Sequence, residues 1–190
     1  GWRLGTFLFP PDLVWLLDVM AVVASETYTS VSAPIQYAAV RAFRGGVRIE
    51  RYLWHARRIL AALARRCVQM LSEAGIEVCA PAGAFYLYLD FSSLREVLVQ
   101  RGIHNGAALC DRLLQDSGVA MLPGSAFARP GEELTARLSY VDFDGSRALA
   151  ASENIPLDEE LPEDFLELWC GHVLAGVRKI AVWVRGEVER

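Results

Sequence analysis

The sequence predicts an α+β fold in which helices come first, short strands mixed with helices follow, and helices close the chain. Three observations carry this. Residues 47–74 hold apolar side chains at helical spacing over the longest periodic stretch in the chain. After Gly75 the period changes to short strand-like runs, the clearest being 84–91 (AFYLYLDF) and 134–141 (LTARLSYV). From Asp144 onward the pattern returns to helix. The sheet so predicted is short, mixed or antiparallel, and flanked by helices.

The elements follow in order. Residues 2–9 (WRLGTFLF) read as a buried strand. Pro10-Pro11-Asp12 opens a helix, because proline suits the first helical position and an acid suits the first turn. Leu13, Leu16, Leu17, Met20 and Val23 give that helix an apolar stripe, and Ser25 to Ser32 reads as a polar loop. Pro34 restarts a helix that Gly45-Gly46 ends. In 47–74 the stripe includes Ile59, Leu63, Cys67, Met70 and Leu71. Arg48, Arg51, His55, Arg58 and Arg65 lie away from it, as a solvated face or, alternatively, a surface for an anionic partner. Gly75 closes the helix.

Residues 76–79 form a short strand, Pro81-Ala82-Gly83 a turn and 84–91 a strand. Helices are predicted over 92–101 and 105–117, the second capped by Asn105. Residues 119–122 are a brief strand, and a loop runs between Pro123-Gly124-Ser125 and Arg129-Pro130-Gly131. Residues 134–141 are a strand, Asp144 caps a helix to Ser152, 156–162 is an acidic linker, and a last helix spans about 163–188.

Composition narrows the function. With 53% hydrophobic and 22% charged residues the chain is globular rather than disordered. With a net charge of −4 the chain is a poor candidate for nucleic-acid binding, which needs a basic footprint. The apolar run 7–24 is broken by Pro10, Pro11, Asp12 and Asp18, so no membrane span is expected. Cys67, Cys79, Cys110 and Cys170 are scattered without metal spacing, which suits reduced thiols and a cytoplasmic location. His55, His104 and His172 sit in no metal or catalytic motif. Of 19 basic residues only Lys179 is a lysine, and it falls in a late helical stretch that suits a solvated role.

Two arginines and one aromatic stand out. Arg3 lies in Gly1-Trp2-Arg3-Leu4-Gly5, where a guanidinium is either a surface group or can be held at a strand end beside a phosphate, its planar fork suited to two phosphate oxygens. Arg137 lies mid-strand between Ala136 and Leu138, where an unpaired charge is costly. It therefore either pairs with Asp90, Asp142 or another acid, or clamps a substrate carboxylate. Phe127 reads equally as a residue of a site mouth and as core packing.

The pentapeptide at 1–5, Pro81-Ala82-Gly83-Ala84-Phe85-Tyr86, and the strand, Pro-Gly loop and arginine strand from Val119 to Tyr140 come in an order that resembles class I/II aminotransferases. These are pyridoxal-phosphate enzymes of fold type I, with aspartate and aromatic aminotransferases among them. The resemblance runs nearly end to end. It implies that residues 1–46 end the large cofactor-binding domain, and that 47–190 are the small C-terminal domain, including a long linking helix at 47–74. It implies that Arg3 binds the phosphate of pyridoxal 5'-phosphate, that Arg137 binds the α-carboxylate of the amino or 2-oxo acid, and that Phe127 lines the substrate site. The Schiff-base lysine falls upstream of Gly1 in this pattern, so no catalytic residue is expected in this chain. The substrates implied are an amino acid and a 2-oxo acid, and the full-length enzyme is expected to be a homodimer. Ser32-Ala33-Pro34 matches a loop that reaches toward the partner's cofactor. Residues 26–33 (ETYTSVSA) lack the second arginine of some aspartate-specific members. Other readings remain: a lyase or synthase of the same fold, an aminotransferase-like transcription regulator, or a non-catalytic interaction module.

Overall fold

Proline has no N–H to lose at a helix start, and the chain uses it there. In the computed structural model, which describes residues 3–28 and 30–186, a 3-10 turn at Pro11–Leu13 runs into α1 (Val14–Thr27). The chain divides into two compact units, Gly1–Arg51 and Tyr52–Arg190.

In the first unit residues 3–10 have no regular secondary structure, not the buried strand expected; Leu8 is 95% exposed. A strand needs a neighbour for its backbone groups, and besides this segment the described residues of the unit are helical or connecting. Trp2 and Gly1 lie outside the described residues. α1 continues through part of the expected polar loop, because Ser25 and Thr27 return their hydroxyls to the carbonyls of Val22 and Val23 and leave the helix intact. Its apolar residues are not confined to one stripe: Val14, Trp15, Leu17, Val19, Val22 and Val23 are all exposed. α2 (Ala33–Phe43) carries Pro34 in its first turn and ends at Gly45 and Gly46, with φ of 65° and 112°.

The 3.6-residue pattern becomes α3 (Val47–Glu73), with Ile59, Leu63, Cys67, Met70 and Leu71 buried. Gly75, at φ 82°, closes it in a Schellman turn: its N–H donates to Ser72 O and that of Ile76 to Leu71 O. In the second unit the strands are β1 (Glu77–Val78), β2 (Tyr86–Asp90), β3 (Leu122–Pro123) and β4 (Thr135–Ser139). Their order is β1-β2-β4-β3 and every pair is antiparallel. The helices of this unit are α4 (Arg95–Gln100), α5 (Gly106–Ser117), α6 (Gly145–Glu153) and α7 (Phe165–Arg185). Asn105 caps α5 by accepting from Ala108 N, and Asp144 caps α6 by accepting from Ser146 and Arg147 N.

Strand alternation divides the sheet. Leu87, Leu89, Ala136 and Leu138 point into one core with Leu63, Leu113 and Ile180. Tyr86, Tyr88 and Arg137 point to the other face, where the two tyrosines are exposed.

The basic side of α3 is only partly solvated, which corrects the expectation for two residues. His55 is 2% exposed, and its Nδ1 lies 2.9 Å from Ser152 Oγ. Arg58 Nε donates to that hydroxyl at 2.9 Å, and its terminal nitrogens reach the carbonyls of Ser152, Ile155, Pro156 and Glu159. Those carbonyls belong to the end of α6 and the turn beyond it, where helix geometry leaves acceptors unmet. Burial lowers the Arg58 pKa from its ordinary value.

Three thiols are locked in the core. Burial pushes Cys67 up to about 12, and Cys110 and Cys170 up to about 11, against an ordinary 9.0. Cys79 is exposed. A thiol reagent at neutral pH is therefore expected to modify Cys79 alone in the folded protein, and all four cysteines after urea unfolding. Mass mapping of the labelled peptides checks this; rapid native labelling of Cys67 would contradict it.

Candidate functional site

The outer face of the sheet collects the residues that matter. Tyr88 stands opposite Arg137 in the β2–β4 register, and Leu122 opposes Arg137 from β3. The Arg137 guanidinium carbon lies 4.2 Å from the Tyr86 ring centroid and 4.3 Å from that of Phe127, both within cation–π range. The side chain is half-buried, and among the described residues it makes no ion pair. The expected alternatives of Asp90 and Asp142 do not pair with it: Asp90 accepts from Ser92 N and Asp142 from His172.

Other arginines of this region are already engaged. Arg129 forms a bidentate pair with Glu133 at 2.7 and 2.9 Å, which holds its pKa above the ordinary value. Arg95 donates to Glu132 O, and Arg147 lies over Trp169. Arg137 is different: its carbon is covered by rings and its N–H groups have no carboxylate among the described residues.

The segments that deliver the rings are held tightly. Phe127 ends a 3-10 turn, Gly124–Phe127, which packs on Thr135 and Tyr88. A Cβ at Gly124 would collide with Thr135 Oγ1 and the Tyr88 hydroxyl, so this glycine permits the close approach. Tyr88 O–H donates to Thr135 Oγ1 at 3.0 Å. Ala128, next to Phe127, sits at φ 61°, and so does Ala84, two residues before Tyr86. Tyr140 fixes the second of these by donating its hydroxyl to Ala84 O at 3.0 Å. Left-handed backbone at a non-glycine residue costs about 1 kcal/mol or more, and here it brackets both rings.

The remaining candidates fall elsewhere. Arg3 is exposed in the N-terminal coil and makes no ion pair with the described residues. Ser32 precedes α2 without a side-chain cap. Lys179 is exposed on α7 and donates to Ser117 O at 3.3 Å. His172 pairs with Asp142 at 2.9 Å, both largely exposed, beside a cleft of about 310 Å³ whose walls include Gly118, Ala120 and Gly176. His104 is exposed. Reading by sequence missed Tyr86, Thr135 and Gly124 as partners of the arginine face. The signal available was strand alternation, which sets Tyr86, Tyr88 and Arg137 on one side.

The family model for aminotransferase class I and II matches residues 1–148. The chain belongs to that family. Enzymes of this family use pyridoxal 5'-phosphate. The aspartate/prephenate aminotransferase of Cereibacter sphaeroides is 32% identical over 150 residues, covering 76% of this chain and 34% of that protein. A bifunctional aspartate aminotransferase and glutamate/aspartate-prephenate aminotransferase of Petunia hybrida is 32% identical over 149 residues, 74% of this chain and 29% of that one. The chain thus spans about one third of the length of the curated relatives it matches. Among solved structures, an aminotransferase from Mycobacterium tuberculosis superposes with a TM-score of 0.56 at 26% identity, over 98% of this chain and 38% of that one. The aromatic aminotransferase of Pyrococcus horikoshii gives 0.58 at 20% identity, over 90% and 36%, and so supports the fold. The α+β expectation and the family resemblance both hold. Among the described residues no helix is long and apolar enough to cross a membrane.

Proposed function

We propose that the protein carrying this chain transfers an amino group from an amino acid to a 2-oxo acid, with Arg137 holding the substrate carboxylate and Arg3 the cofactor phosphate. The observation that carries this reading is Arg137, a half-buried guanidinium set against two rings without a carboxylate partner among the described residues. In a chain of the class I/II aminotransferase family, a planar fork kept free in this way suits a planar carboxylate.

The chain's residues also fit the cofactor. Arg3 is exposed and unpaired with any described acid, so its fork is available to a phosphate. Pyridoxal phosphate, when bound, supplies the electron sink for the chemistry at the amino carbon. The chain's own contribution is binding and orientation: Arg3 anchors, Arg137 orients, and Phe127 lines the substrate side. In this reading residues 1–46 belong to the large domain and 47–190 to the small one, and the small domain's movement couples substrate binding to closure. The full-length enzyme is a homodimer in the cytoplasm; neither nucleic acid nor membrane is a partner.

The test uses the longer protein that contains these residues. With pyridoxal phosphate bound, amino donor and 2-oxo acceptor varied together are expected to give parallel double-reciprocal lines, the mark of ping-pong transfer. Absence of transfer across a panel of amino acids, with cofactor bound, would reject the reading. The 190-residue chain alone is expected to gain no stoichiometric pyridoxyl adduct on borohydride reduction, since its single lysine, Lys179, is exposed and bonded to Ser117 O. Mass spectrometry reads that outcome directly.

A further inference from the structure

The two rings beside Arg137 do more than fill space. β2 and β3 flank β4 on either side. Tyr86 comes from β2 and Phe127 from the turn that follows β3, so two separate segments each bring a ring to the guanidinium. Both ring contacts are short, at 4.2 and 4.3 Å, and left-handed alanines at 84 and 128 hold both segments. Neither ring is there for core burial: Tyr86 is 39% exposed and Phe127 38%.

A guanidinium donates only in its own plane, and its faces are open unless something covers them. With rings against it, the direction left for an acceptor is the edge. A carboxylate is planar and meets that edge with two parallel hydrogen bonds. A phosphonate or sulfonate carries a third oxygen that projects out of the plane toward a ring.

We infer that Tyr86 and Phe127 are positioning residues for Arg137, and that together they make this site select planar carboxylates over tetrahedral anions. The inference rests on the reading of Arg137 as the carboxylate clamp. It assigns Tyr86, which nothing in the sequence motif singled out, a specificity role exerted through the arginine.

The experiment uses the full-length enzyme with its cofactor. The variants are Tyr86→Leu, Phe127→Leu, their double mutant, Tyr86→Phe and Arg137→Lys. Competition of L-alanine and of 1-aminoethylphosphonate, its tetrahedral counterpart, is measured against the amino donor. Exposed cation–π contacts correspond to about a threefold change each. Each leucine variant is therefore expected to raise donor KM about threefold and the double mutant about tenfold, with kcat and cofactor affinity little changed. The preference for alanine over the phosphonate is expected to fall in parallel, while Tyr86→Phe keeps both values. Circular dichroism establishes folding, and methionine replaces leucine at either position if a leucine variant unfolds. Leucine or methionine variants with wild-type KM and wild-type preference, beside a damaged Arg137→Lys, overturn the positioning role and leave the clamp standing. An Arg137→Lys enzyme with unchanged KM and preference overturns the clamp itself.

Discussion

Replacing Arg137 by lysine in the full-length enzyme is expected to lower kcat/KM for the amino donor about 100-fold. The substitution keeps the positive charge, so the loss isolates geometry. A guanidinium gives a carboxylate two parallel charge-assisted hydrogen bonds, whereas an ammonium is a point donor without a fork. Losing one such bond and the alignment of the other corresponds to about 2.7 kcal/mol, within the range for hydrogen bonds to charged groups, and that is a factor of about 100. The lysine amine also forfeits the guanidinium's contacts with the Tyr86 and Phe127 rings, whose centroids lie 4.2 and 4.3 Å from its carbon. Cofactor affinity, read by spectral titration, is expected to stay within about twofold, because the phosphate contact is assigned to a different residue, Arg3. A variant that lost cofactor but kept its donor KM would contradict the assignment of Arg137 to substrate.

Arg58→Met is expected to destabilise the fold by about 2–3 kcal/mol, measured by equilibrium urea unfolding. Arg58 binds Ser152 Oγ and the carbonyls of Ser152, Ile155, Pro156 and Glu159, so one side chain satisfies the frayed end of α6 and the turn after it. Methionine preserves much of the apolar stem but leaves those acceptors without their donor, and the cost of charged hydrogen bonds sets the magnitude. Arg57, next in sequence, is exposed, and Arg57→Met is expected to change stability by less than about 0.5 kcal/mol. Equal effects at the two positions would mean that the carbonyl contacts carry no weight.

Much of this arrangement was legible in the sequence, for definite reasons. The stripe Ile59, Leu63, Cys67, Met70 and Leu71 repeats at helical spacing, so α3 and its Gly75 stop follow from local rules. Asn105 and Asp144 are short side chains that cap helices through neighbouring N–H groups, contacts that need no distant partner. Residues 3–10 mislead because they are largely apolar, and such a run is a strand only where another strand accepts it. His55 and Arg58 were hidden for the converse reason. Helical periodicity puts them outside the main stripe, and the groups that bind them lie 94 or more residues away.

The candidate site divides along the same line. The sequence by itself determined that Arg137 lies mid-strand between apolar neighbours, that a Pro-Gly loop precedes it, and that the order of motifs is that of class I/II aminotransferases. These are properties of neighbouring residues and their spacing. Tertiary structure alone decided that Arg137 pairs with neither Asp90 nor Asp142 and rests instead against Tyr86 and Phe127. Strand order sets β2 and β3 on either side of β4, and a bare Gly124 lets the turn after β3 settle on Thr135 and Tyr88. A charge's partner is whatever the fold carries within a few ångströms of it, and sequence distance holds no record of that.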